Sequence, residues 1–96
     1  MTVDPAATIV RASKIISTQV DGETVLFSID DGHYCGLDSI GTVIWDELQS
    51  PVRIDVLCDR IAEQYDGARD VITADVIELI ETLTDLSLVN IVTRDG

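Results

Sequence analysis

Two Asp-Gly pairs, Asp21-Gly22 and Asp31-Gly32, constrain this chain more than any other feature. Asp-Gly readily supplies the left-handed backbone of a tight hairpin turn, and here each pair separates segments of strand-like pattern. Ile15 to Val20 is rich in β-branched residues and runs into the first pair. Thr24 to Asp30 alternates, with Val25, Phe27 and Ile29 on one face and Thr24, Ser28 and Asp30 on the other, where only Leu26 interrupts the polar row. His33 to Leu37 forms a third strand, with Cys35 and Leu37 on one side and Tyr34 and Gly36 on the other. Short turns joining three strands give an antiparallel meander. Its third strand lies at an edge unless another element covers it.

The hydrophobic period changes at Asp38-Ser39. Ser39 reads as the N-cap of a helix through about Gln49, with Ile40, Ile44 and Leu48 on its buried stripe. Ser50-Pro51 ends it. A second helix spans about Ile54 to Tyr65, carrying Leu57, Ile61 and Tyr65 at four-residue spacing, and Asp66-Gly67 closes it. A third runs from about Ile72 to Leu86, and Leu88 to Val92 reads as a short final strand. Met1 to Val10 has little pattern, so residues 1–12 are expected to be a flexible tail ahead of one domain over residues 13–93. With 96 residues, 46% of them hydrophobic, the chain suits a single folded domain. The expected class is α+β and winged helix-turn-helix-like: a three-stranded antiparallel sheet followed by three helices.

On a helical wheel the third helix gathers Ile72, Val76, Leu79, Ile80, Leu83 and Leu86 into one arc, with Asp75, Glu78, Glu81 and Asp85 opposite. Ile77 falls outside that arc, between Thr73 and Thr84. It reads either as the rim of the core or as one wall of a shallow apolar groove.

Charge narrows the choice of partner. Eighteen acidic residues against six basic give a net charge of −12, and the basic residues are scattered. Such a surface repels nucleic acid backbones and anionic membranes, so neither is an expected partner. No apolar run approaches the ~20 residues of a membrane span, and Met1 to Ala12 lacks the pattern of a secretory signal. Cys35 and Cys58 have no metal-ligand spacing and read as free thiols of a cytoplasmic protein. Neither a metal nor any other cofactor is expected.

No catalytic constellation emerges. His33, the single histidine, sits beside a turn without an evident partner. Cys35 shares its face only where both point to the core, and there a cysteine behaves as a small hydrophobe. Asp55 and Asp59 flank Cys58 and blunt its reactivity. The numerous carboxylates read as helix surface, and no glycine-rich phosphate loop occurs. The chain is therefore expected not to be an enzyme.

One stretch carries a family resemblance. "DGHYCGLDSIGTVIWDEL", Asp31 to Leu48, resembles the PqqD-like family, whose members typically read D-x-G-x-Y-x-G-L-N-x-x-G-x-x-I-W-x-x-L here. Asp30, Gly32, Tyr34, Gly36, Leu37, Gly41, Ile44, Trp45 and Leu48 fit as they stand, and Asp38 replaces the commoner Asn at a helix-cap position. "IDVLCDRIAEQYD" and the last helix ending in "LTDLSLV" fit as well, so the resemblance covers roughly Ile15 to Val92.

The resemblance implies a recognition element for ribosomally made, post-translationally modified peptides (RiPPs). In such a domain the leader of the precursor adds as a strand to the third-strand edge and lies against the third helix, a case of β-augmentation. The implied peptide-binding residues are His33, Tyr34, Cys35, Gly36 and Leu37 on the strand, with Thr73, Ile77, Ile80, Glu81 and Thr84 on the helix. Within the family, the strand and helix motifs look most like the stand-alone leader-binding proteins of lasso peptide biosynthesis. That implies a leader protease as partner, with a ring-closing cyclase beside it. A PqqD-type chaperone of another RiPP or of pyrroloquinoline quinone synthesis is the alternative within the family. The alternatives of other classes are a winged-helix DNA-binding regulator, which Asp55, Asp59, Glu63, Asp75, Glu78, Glu81 and Asp85 disfavour, and an acidic interaction module. A monomer or a weak homodimer suits the open edge.

Overall fold

In the computed structural model, which describes Asp4 and residues 6–92, the chain alternates between two small sheets and a helical layer. The elements run β1 (Thr8–Arg11), β2 (Ile15–Val20), β3 (Glu23–Ser28), β4 (Tyr34–Leu37), α1 (Ser39–Glu47), β5 (Val52–Arg53), α2 (Ile54–Gln64), α3 (Arg69–Asp85) and β6 (Val89–Val92). The expected meander is present as the antiparallel sheet β2-β3-β4, with β4 at an edge. The α+β class holds, and so do the three helices.

The first Asp-Gly pair behaves as its chemistry demands. Asp21 and Gly22 both take positive φ, 54° and 82°, the turn whose twist matches paired strands. The second pair sits differently. Ser28 N–H donates to the His33 carbonyl at 2.9 Å and Gly32 N–H donates to the Ser28 carbonyl at 2.8 Å, so residues 29–32 form a wider loop in which Gly32 supplies the positive φ of 71°.

The faces of β3 are the reverse of what its apolar alternation suggests. Thr24, Leu26 and Ser28 are buried, while Val25 and Ile29 are exposed. Polar side chains can turn inward because they find partners: the Thr42 hydroxyl lies 3.0 Å from that of Thr24, and Asp31 N–H donates to Ser28 Oγ at 3.4 Å. Leu26 is the residue of β3 that enters the core. Phe27 instead packs on Tyr34 across the outer face, ring centroids 4.8 Å apart.

The expected flexible tail is corrected in part. Thr8–Arg11 is a strand, paired with β5 on one side and β6 on the other in the sheet β5-β1-β6. Ile9 is fully buried, and Ala12 N–H donates to the Leu88 carbonyl at 3.0 Å. Arg11 fastens this strand to α1: its guanidinium donates to the Trp45 carbonyl at 2.7 and 3.1 Å and stacks 4.4 Å from the Trp45 ring centroid. Residues 1–3 and Pro5 lie outside the described residues.

Helix ends shift by small amounts. Asp38, not Ser39, caps α1, accepting from Gly41 N–H at 2.8 Å, which satisfies a donor of the first turn. Helix α3 begins at Arg69, a turn earlier than Ile72, because Ile72 N–H already reaches the Ala68 carbonyl at 3.1 Å. Ile44 and Leu48 after the sheet, Leu57 and Ile61 on α2, and Val76, Ile80 and Leu83 on α3 are all buried with Ile9, Leu26, Leu37 and Leu88. Each such side chain contributes roughly 1.5–3 kcal/mol. This core fixes how α3 faces the meander.

Candidate functional site

The free edge of β4 is built by alternation. Ser28 N–H bonds the His33 carbonyl, and β3 and β4 pair Leu26↔Cys35 and Thr24↔Leu37. In an antiparallel ladder, bonded and non-bonded pairs alternate. Cys35 and Leu37 therefore spend their backbone groups on β3, whereas Tyr34 and Gly36 turn their N–H and C=O groups away from it. β4 has no second partner strand among the described residues. The side chains alternate as well: Leu37 is buried and Cys35 half-buried, while Tyr34 and Gly36 are exposed. A segment pairing here would bond to Tyr34 and Gly36.

Beyond the last residue of β4 the edge runs into a cleft between α1 and α3. The cleft holds about 260 Å³ and is lined by Asp38, Ile40, Gly41 and Ile44 on one wall and by Asp75, Glu78, Leu79 and Thr82 on the other. Gly41 packs closely at this wall, since a Cβ there would come within 3.2 Å of both Leu37 Cβ and Asp38 Oδ1. Ile40, Ile44 and Leu79 give an apolar floor. Asp38, Asp75 and Glu78 give an acidic rim, and none of the three takes part in an ion pair among the described residues. At its other end β4 is tied to α3 where His33 Nδ1 lies 3.4 Å from the Leu86 carbonyl. The arrangement can accept an extended peptide, with backbone bonds from β4 and one apolar side chain in the cleft.

Of the strand residues expected at the site, His33 precedes β4 and Tyr34 to Leu37 form it, with the Leu37 side chain 3% exposed and part of the core. The helix half is placed elsewhere. Ile80 is fully buried and presents nothing to a ligand. Thr73 lies on the α2 side, near Cys58, and accepts from Arg69 Nε at 3.3 Å. Ile77, one turn on, shares that side and packs half-buried against the core. Thr84, which donates back to the Ile80 carbonyl at 2.7 Å, and Glu81 occupy the same flank and do not line the cleft. Leu79 and Leu86, expected in the core arc, are only half-buried. On α3 the cleft is lined instead by Asp75, Glu78, Leu79 and Thr82, none of which was expected at the site from the sequence. Their signal was present, since Leu79 ends the core arc next to Asp75 and Thr82.

Neither thiol is poised for chemistry. Burial pushes the Cys35 thiol up. Burial also raises Cys58, with Asp59 and Asp55 adding to the rise and Thr73 and Arg69 opposing it. Among the described residues no group of three or more His, Cys, Asp and Glu side chains is placed to hold a metal. No helix is long and apolar enough to cross a membrane.

An open-edged meander, with a cleft beside it between the first and last of three helices, defines an α+β, winged-helix-like domain with a groove. The chain belongs to the PqqD family: the family described as Coenzyme PQQ synthesis protein D (PqqD) matches residues 23–89, which include both walls of the cleft. Among solved structures it is similar to TbiB1 in complex with the TbiA(beta) leader peptide, at 27% identity and a TM-score of 0.76, covering 90% of this chain and 99% of that one. No curated protein matches the chain. Fold and family together make it a PqqD-like RiPP recognition element.

Proposed function

We propose that this protein binds the leader of a ribosomally made precursor peptide and carries no catalytic activity of its own. The leader adds antiparallel to β4, its backbone bonding to Tyr34 and Gly36, and inserts an apolar side chain between Ile40, Ile44 and Leu79. The carrying observation is the unpaired β4 edge that opens into the α1–α3 cleft, in a chain whose fold matches a protein solved with its leader peptide. Delivery of the bound precursor to a leader protease, as in lasso peptide biosynthesis, completes the reading, with a cyclase acting on the released core.

The test is a titration with the synthetic leader of the neighbouring precursor gene. Leu79→Asp would place an unpaired carboxylate where the apolar side chain docks, so affinity should fall at least about tenfold, or ~1.4 kcal/mol, with the fold intact because Leu79 is only half-buried. Ile77→Asp, on the α2 flank, should lower leader affinity far less. Leu83→Asp should unfold the domain, since that side chain is fully buried. Normal binding by Leu79→Asp would refute the cleft assignment.

A further inference from the structure

The sheet β2-β3-β4 has an outer face whose side chains the leader-binding reading leaves unused, although the backbone of Tyr34 and Gly36 and the Asp38 carboxylate border both surfaces. Cross-strand register sets Ile16 beside Phe27 and Phe27 beside Tyr34 on this outer face, with Val25 beside Gly36. Ile16 is 50% exposed, Val20 53% and Tyr34 71%. Isolated exposed apolar residues are ordinary; a row of them in register on one sheet face marks a contact surface.

The surface is also concave and charged at one end. A groove of about 520 Å³ runs between the β2–β3 turn and the end of β4 over Val20, Val25 and Gly36. Gly36 borders open space, since a Cβ there would meet nothing within 4 Å. Asp21, Glu23 and Asp38 fringe the groove, and none of them has an ion-pair partner among the described residues. Lys14, the one lysine of the chain, pairs with Asp30 instead.

We propose that this outer face is a second docking surface, and that its occupant is a protein presenting an apolar side chain fringed by lysine or arginine. Charge decides against a second copy of the chain, which would bring a net charge of −12 and the same carboxylates against themselves. The leader cleft lies on the α3 side of β4, so leader and protein partner fit at once. Resting on the function proposed above, the partner is the processing enzyme that receives the loaded leader.

The experiment uses the full chain, a fluorescent synthetic leader and the purified leader protease from the same gene cluster. Val25→Lys and Glu23→Lys are compared with wild type for leader affinity, protease affinity, sedimentation and thermal unfolding. Glu23 is exposed at the start of β3, so its substitution tests the charge without touching apolar packing. Protease affinity should drop at least tenfold in both variants and weaken in wild type as salt rises, while leader affinity stays within twofold. A wild type that binds leader but not protease overturns the docking surface alone, as does unchanged protease affinity in Glu23→Lys. Self-association of wild type that Val25→Lys abolishes assigns the face to a second copy and overturns the partner's identity. A wild type that binds no leader overturns the functional reading itself.

Discussion

Adjacent prolines on β4 should have opposite consequences. Gly36 directs its N–H away from β3, so Gly36→Pro removes no bond from the folded sheet, and proline is tolerated on edge strands in that orientation. The same substitution deletes one donor to an added peptide strand and sets the pyrrolidine ring against it. One lost backbone bond is worth about 0.5–1.5 kcal/mol, and the peptide carbonyl left unpaired raises the loss towards ~1–3 kcal/mol. Leader affinity should therefore fall by roughly five- to 150-fold, with little change in melting temperature. Cys35→Pro inverts the pattern, because Cys35 pairs with Leu26 in the bonded register. Losing that ladder bond strips the partner from a carbonyl beside the fully buried Leu26. At ~1–3 kcal/mol and about 4–8 °C per kcal/mol for a domain of this size, the midpoint should drop by roughly 4–24 °C. Fluorescence anisotropy with labelled leader and thermal unfolding by circular dichroism read both effects. Undiminished leader binding by folded Gly36→Pro would refute strand addition at this edge, and a Gly36→Pro midpoint that falls with that of Cys35→Pro would refute the assigned parity.

Two further outcomes follow from the fold. Ile9→Ala should cost about 2–5 kcal/mol in chemical denaturation, because Ile9 is a core residue; a loss below ~0.5 kcal/mol would mean that β1 contributes as little as a surface tail. For Cys58, the folded state raises the thiol, so it holds the proton where the unfolded chain releases it. The stability linked to that proton is present below the ordinary thiol range and is lost as pH rises through it. Between about pH 8 and 10, wild type should lose more stability than Cys58→Ala, and parallel curves would contradict the shift.

Local chemistry made the meander and helices legible in the sequence, and long-range pairing hid the rest. The Asp-Gly pairs, Ser50-Pro51 and Asp66-Gly67 punctuate the chain where elements end, because turn residues act on their own neighbourhood. β1 escaped because its partners Val52, Arg53 and Val89 to Val92 are distant in sequence, and four residues carry no readable period. The faces of β3 were misleading because Thr42 gives the inward Thr24 hydroxyl a partner from another element. The helix residues expected at the site lie off the α1–α3 cleft for a geometric reason. On α3, Leu79, Leu86, Asp75 and Thr82 flank the core stripe on one side, while Thr73, Thr84, Ile77 and Glu81 flank it on the other. A wheel is symmetric about its buried stripe. Which flank meets β4 is decided by the handedness with which α1 and α2 carry the chain round the core, and no local pattern reports that.

The register of β1 against β6 makes this domain easy to transplant. Thr8 and Val92 are paired residues, so the first and last strands stand side by side, about 5 Å apart at their Cα atoms. A host protein could receive the segment between them within a surface loop while its own backbone detoured by little more than one residue's length. The β4 edge would keep its pairing in such a chimera, because β4 belongs to the sheet that β1 and β6 do not enter. Peptide recognition could thus be grafted onto an unrelated enzyme as a cassette, without redesigning either part.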